Sequence, residues 1–134
     1  MFHMEYLERL VQEVRKAGLD AMLVAPSEDL LFLTGHNPIF CERFQGLFVT
    51  AEGGYFYVCN LLTKEEMEAV LPNHKVYAWF DGDGHVDTVR AALEANGLIG
   101  KRIGVNSTVR AYNILEISEQ VDVTWVSARY LCQE

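Results

Sequence analysis

Short apolar runs alternate with helical-period segments along the whole chain, and this alternation restricts the fold more than any other sequence feature. Met4 to Ala17 places Leu7, Leu10, Val11 and Val14 on one face with charges opposite, the pattern of an amphipathic helix, and Gly18 is its predicted stop. "DAMLVAP" follows as a buried strand closed by Pro26. A short helix is predicted from Glu28 to Thr34, with Ser27 as N-cap and Gly35 as stop. "QGLFVTAEGGYFYVCN" reads as a β-hairpin whose turn uses Gly53 and Gly54. Thr63 to Glu66 resembles a capping box ahead of another helix. "KVYAWF" is a strand, His85 to Asn96 a helix, "RIGVN" a strand, Ser107 or Thr108 the cap of a helix to about Gln120, and "VTWVSA" the last strand. The predicted class is α/β: a mixed, mostly parallel sheet of about six strands with helices on both faces.

At 134 residues the chain fits one domain, and a chain of this length buries about two-thirds of its unfolded surface. No apolar run is long enough to span a bilayer. The start, Met-Phe-His-Met-Glu, lacks the basic and apolar stretches of a signal peptide, so a cytoplasmic location is expected. The formal charge of -8 and the lack of a basic stripe argue against a nucleic-acid partner. Cys41, Cys59 and Cys132 show no metal-like spacing and read as reduced thiols, Cys59 in a core strand.

Four kinds of chemistry could draw on the polar residues of this chain. "DGDGHVD", from Asp81 to Asp87, begins like a calcium loop, but Val86 takes the obligatory glycine position and Ala92 that of the closing glutamate. A polar turn with an aspartate capping the next helix is the simpler reading. No G-x-S-x-G elbow exists, and a Cys41–His36 pair has no orienting third group. His36, Cys41 and Glu42 have no companion metal motif, and neither "GLIGKRIG" nor "AEGG" opens a helix as a phosphate loop would. The polar cluster that remains is "LTGHNPIFCERFQG", Leu33 to Gly46. Two readings of it stay open: a packing loop with Phe40 and Phe44 tucked under the sheet edge and Arg43 paired to an acid, or a functional loop.

"RLVQEVRKAGLDAMLVAPSEDLLFLTGH", "ERFQGLFVTAEGGYFYV" and "IGVNSTVRAYNILEISEQ" together resemble the N-terminal domain of the creatinase/prolidase/aminopeptidase P family, with Phe32 where that family usually has Tyr. The match runs from about Tyr6 to Tyr130 and rests on the order of several weak motifs. The resemblance implies the ribonuclease H-like sheet of that domain. It also implies a C-terminal pita-bread domain absent from this chain, whose two aspartates, histidine and two glutamates bind two divalent metals, manganese or cobalt. The chain would then be the non-catalytic part of a metal-dependent Xaa-Pro dipeptidase acting on proline-containing dipeptides as a homodimer. His36, Phe40, Glu42 and Arg43 would lie at the substrate rim or against the partner subunit, with no catalytic residue and no metal ligand in this chain. The same domain of a creatinase, or a pseudo-peptidase that binds proteins, are the alternatives. A ribonuclease H-type nuclease would need carboxylates converging at strand ends, and the strands show none.

Overall fold

The computed structural model describes residues 2–36, 38, 43–128 and 131. Helix α1 (Met4–Lys16) buries Leu7, Leu10, Val11 and Val14, the face predicted from spacing, and each such aliphatic side chain contributes about 1.5–3 kcal/mol when buried. Glu5 in its first turn and Arg15 and Lys16 in its last complement the helix dipole. The chain leaves α1 through Gly18, whose φ of 73° is the left-handed conformation that glycine adopts without strain.

Six strands follow in chain order, β1 (Ala21–Val24), β2 (Gly46–Thr50), β3 (Tyr55–Asn60), β4 (Val76–Trp79), β5 (Arg102–Val105) and β6 (Thr124–Ser127). They form one sheet in the order β4-β3-β2-β1-β5-β6. β2 pairs antiparallel with both β1 and β3, while β1–β5, β3–β4 and β5–β6 are parallel. The sheet is therefore mixed and mostly parallel, as the sequence predicts.

Alternation along the strands divides the core into two layers. Met22, Val24, Leu47, Val49, Tyr57 and Cys59 face α1, α2 (Glu28–Thr34) and α3 (Lys64–Val70). Leu23, Phe48, Phe56, Val58 and Ile103 face α4 (Val86–Ala95) and α5 (Ala111–Ser118). Every residue of β1, β2 and β3 is buried, because these strands have helices on both sides. The chain leaves β1 toward β2 and leaves β5 toward β6, in opposite directions across the sheet. A crevice therefore opens between the carboxyl ends of β1 and β5, at the topological switch point.

Three local expectations need correction. Ser27 does cap α2, its hydroxyl accepting from Leu30 N–H at 3.2 Å, but Thr63 makes no capping bond and Glu66 is engaged elsewhere. Helix α5 begins at Ala111 instead of Ser107 or Thr108, because Asn106 turns inward and is bound to the β1–α2 connection. No aspartate caps α4: its N-cap is His85, whose ring packs into the core beside Phe44.

Candidate functional site

Of the four rim residues predicted, His36 and Arg43 lie within the described structure, whereas Phe40 and Glu42 lie outside the described residues, as do Ile39 and Cys41. His36 follows α2, where Gly35 supplies a left-handed C-cap at φ 74°. The Thr34 hydroxyl accepts from His36 N–H at 3.1 Å and lies 2.8 Å from the Leu30 carbonyl, which fixes the exit of the chain from the helix. The His36 imidazole meets the carboxylate of Glu66 on α3 through Nε2. Both groups are part-exposed.

Arg43 stands just before β2 and is joined to Asp81, beyond the end of β4. Its Nε donates to Oδ1 at 2.8 Å and its Nη2 to Oδ2 at 3.0 Å, a two-pronged charge-assisted pair. Asn60, the last residue of β3, donates from Nδ2 to the same Asp81 Oδ1 at 2.8 Å, and its side-chain Oδ1 accepts from Leu62 N–H at 3.0 Å. The Arg43 hydrogen bond first, and then its charge and the Asn60 hydrogen bond, hold the Asp81 carboxyl below the usual carboxylate range. Arg43 thus does pair with an acid, as one reading of the loop anticipated.

Beneath this pair, Phe44 is buried and stacked on His85 at 5.1 Å between ring centroids, and Trp79 Nε1 donates to the Phe44 carbonyl at 3.2 Å. Burial holds the His85 pKa below its usual value, against the opposing charge of Glu116. Its Nε2 lies 3.8 Å from a Glu116 oxygen, within reach of the charge but beyond hydrogen-bond distance, and has no hydrogen-bond partner among the described residues.

The two ion pairs bracket residues 37–42: His36–Glu66 on one side and Arg43–Asp81 on the other. They lie at the end of the sheet where β1, β3 and β4 terminate and β2 begins. The arrangement can orient an imidazole through a carboxylate and anchor the chain entering β2. The Nε and Nη2 donors of Arg43 are engaged by Asp81, so gripping a substrate carboxylate with them would first require displacing that side chain. Sequence reading missed Glu66, Asp81 and Asn60, which partner residues at separations of 30, 38 and 21 positions. No local pattern encodes such distances, and Glu66 was disguised by its place in a capping-box sequence.

Among the described residues no three His, Cys, Asp or Glu side chains come together as a metal ion would need. These residues do not fit the metal pair that the resemblance implies for the parent protein. No helix among the described residues is long and apolar enough to cross a membrane.

Comparison with known proteins matches residues 7–134 to the Creatinase/Prolidase N-terminal domain. The crystal structure of a dipeptidase from Pyrococcus horikoshii OT3 is 29% identical, with a TM-score of 0.80 over 94% of this chain and 35% of that one. That of a proline dipeptidase from Streptococcus agalactiae 2603V is 13% identical and shares the fold, with a TM-score of 0.84 over 98% of this chain and 99% of that one. The curated relative YkvY of Bacillus subtilis (strain 168) is 24% identical over 95 residues, 71% of this chain but only 26% of the relative. The chain thus spans about a quarter of the YkvY sequence and about a third of the Pyrococcus chain. The family match over nearly the full length, carried on the same layered six-stranded fold, shows that the chain belongs to the creatinase/prolidase N-terminal domain family.

Proposed function

We propose that this chain is the non-catalytic N-terminal domain of a metal-dependent Xaa-Pro dipeptidase, contributing to a homodimer and to the rim of the active site. The observation that carries the reading is the family match over residues 7–134, together with similarity to a dipeptidase of which this chain spans 35%. The remaining two-thirds of such a protein leaves room for a C-terminal catalytic domain. There the two divalent metals implied by the resemblance, manganese or cobalt, would supply Lewis acidity.

In this reading His36, oriented by Glu66, faces the substrate as a hydrogen-bonding group. Arg43, tied to Asp81, secures the segment that carries Phe40 and Glu42 toward the rim or a partner subunit. A creatinase would use the same domain, and so would a protein-binding pseudo-peptidase.

Activity assays on the parent protein and on the 134-residue chain separate these readings. The parent is expected to cleave Xaa-Pro dipeptides with manganese or cobalt, and the chain alone to cleave none. Robust cleavage by the chain alone overturns the accessory-domain reading. Creatine hydrolysis by the parent favours the creatinase, and inactivity on both substrates favours the binding module.

A further inference from the structure

Two buried side-chain atoms, Trp125 Nε1 and His85 Nε2, have no hydrogen-bond partner among the described residues. An unmet buried group is uncommon in a folded protein and has a physical reason when it occurs. The indole only donates and keeps one charge state. The imidazole gains both a donor and a positive charge when it takes up a proton, so its two forms favour different surroundings.

His85 has both kinds of surroundings at hand. Its ring stacks on Phe44 with 22° between the planes and lies 5.7 Å from the Trp79 ring. Phe44 directly follows Arg43, and His85 closes the turn that begins at Asp81, so this stack braces both halves of the Arg43–Asp81 pair. Beside the ring lies a cavity of about 340 Å³, lined by Asp83 of the turn, Asp87 of α4, and Glu116 and Glu119 at the end of α5. Arg90 engages Asp87 at 2.8 Å and Arg43 engages Asp81, which leaves Asp83, Glu116 and Glu119 to make the cavity negative. Burial in the stack favours the neutral ring. A protonated ring is better served on the acidic side, where Nε2 needs to approach Glu116 by only about 1 Å to make a charge-assisted bond. Gly82 and Gly84 meet no atom where a side chain would stand, so the turn has room to follow the ring.

We propose that His85 is a proton-operated latch: neutral, its ring stays on Phe44 and Trp79 and braces the Arg43–Asp81 anchor; protonated, it turns out to Glu116 and loosens that anchor. That the anchor serves a substrate rim rests on the dipeptidase reading, but the latch does not, and its test needs no activity. The test is a pH titration of the isotopically labelled 134-residue chain from about pH 8 to about pH 4, followed by NMR, with far-UV circular dichroism reporting the fold. The Trp79 indole N–H and the 43–45 backbone amides should shift with the same midpoint as the His85 ring, below about 6.5. Cross-relaxation between the His85 and Phe44 rings should be present in the neutral state and lost on protonation, with the circular dichroism unchanged. His85→Phe, which keeps a stacking ring but cannot titrate, should abolish the shared transition. Glu116→Gln, at an exposed position, should move it to lower pH by removing the charge that attracts the proton. A His85 ring still neutral at about pH 4, His85–Phe44 contact that persists after protonation, or loss of the whole fold across the transition would overturn the proposal. So would the same transition in His85→Phe or an unchanged midpoint in Glu116→Gln.

Discussion

Asn106 is the test piece for the switch-point architecture. It is 2% exposed at the end of β5, and its Oδ1 accepts from the buried Ala25 N–H at 3.0 Å. Its Nδ2 donates to Ser27 Oγ at 3.2 Å and to Asp29 Oδ2 at 3.0 Å. One side chain therefore ties the end of β5 to the β1–α2 connection. Asn106→Ala strands the Ala25 N–H without a partner, which costs about 1–3 kcal/mol, and removes two further bonds of about 0.5–1.5 kcal/mol each that water replaces in part. The sum is a loss of about 2–4 kcal/mol, roughly 10 °C in Tm for a domain of this size. Urea denaturation followed by circular dichroism measures it, with an unchanged slope showing that the same surface is exposed on unfolding. Asn106→Asp keeps the acceptor but sets an anionic oxygen against Asp29. It should be at least as damaging as Asn106→Ala at neutral pH, because the two like charges repel each other. A loss under about 0.5 kcal/mol for Asn106→Ala would refute the reasoning, because it would mean that the β1–α2 connection is held by other contacts.

Three further outcomes follow from groups around the site. The depressed Asp81 carboxyl contributes stability above the unfolded Asp value that is lost as pH falls through the folded one. The stability gap between the protein and Asp81→Asn should therefore be constant near neutrality and close below about pH 4, and a gap independent of pH would contradict the Arg43 pairing. For His85, burial favours the neutral ring, so the unfolded chain takes up the proton first. Stability should decline as pH falls below about 6.5 toward the folded pKa, and His85→Phe should flatten that decline in an acid titration of urea midpoints. Cys59 is fully buried, and burial with the nearby Glu66 and Glu68 pushes its thiol up to about 12. In a Cys41→Ser/Cys132→Ser background it should resist iodoacetamide at about pH 8 until denaturant is added, and labelling of the native protein would contradict its burial.

Local physics made much of the fold legible. The 3.6-residue spacing of Leu7, Leu10, Val11 and Val14, the Ser27 cap and the glycine-turn hairpin each act within a few residues, and each is present in the structure. The order of strands across the sheet was not legible, because β5 joins β1 across a long separation that no window contains. The same cause hid the partners of the loop. "LTGHNPIFCERFQG" identified His36 and Arg43 as unusual but could not supply Glu66 or Asp81. "DGDGHVD" misled in two ways: its first aspartate serves Arg43 instead of a helix end, and its histidine turns inward to stack on Phe44. The sequence marks Asn106 only as the last residue of the strand "RIGVN", because the partners of its side chain lie 77–81 residues away.

The central claim is that this domain serves an active site it does not contain, with His36 at the rim. The most direct measurement is kcat/KM of the parent protein toward an Xaa-Pro dipeptide, in the unmodified protein and in His36→Ala, with metal content determined on both. Loss of a hydrogen bond to a charged substrate group should lower kcat/KM about tenfold or more while leaving metal content unchanged. Kinetics indistinguishable from the unmodified protein would contradict the claim and leave the His36–Glu66 pair a purely structural tie between α2 and α3.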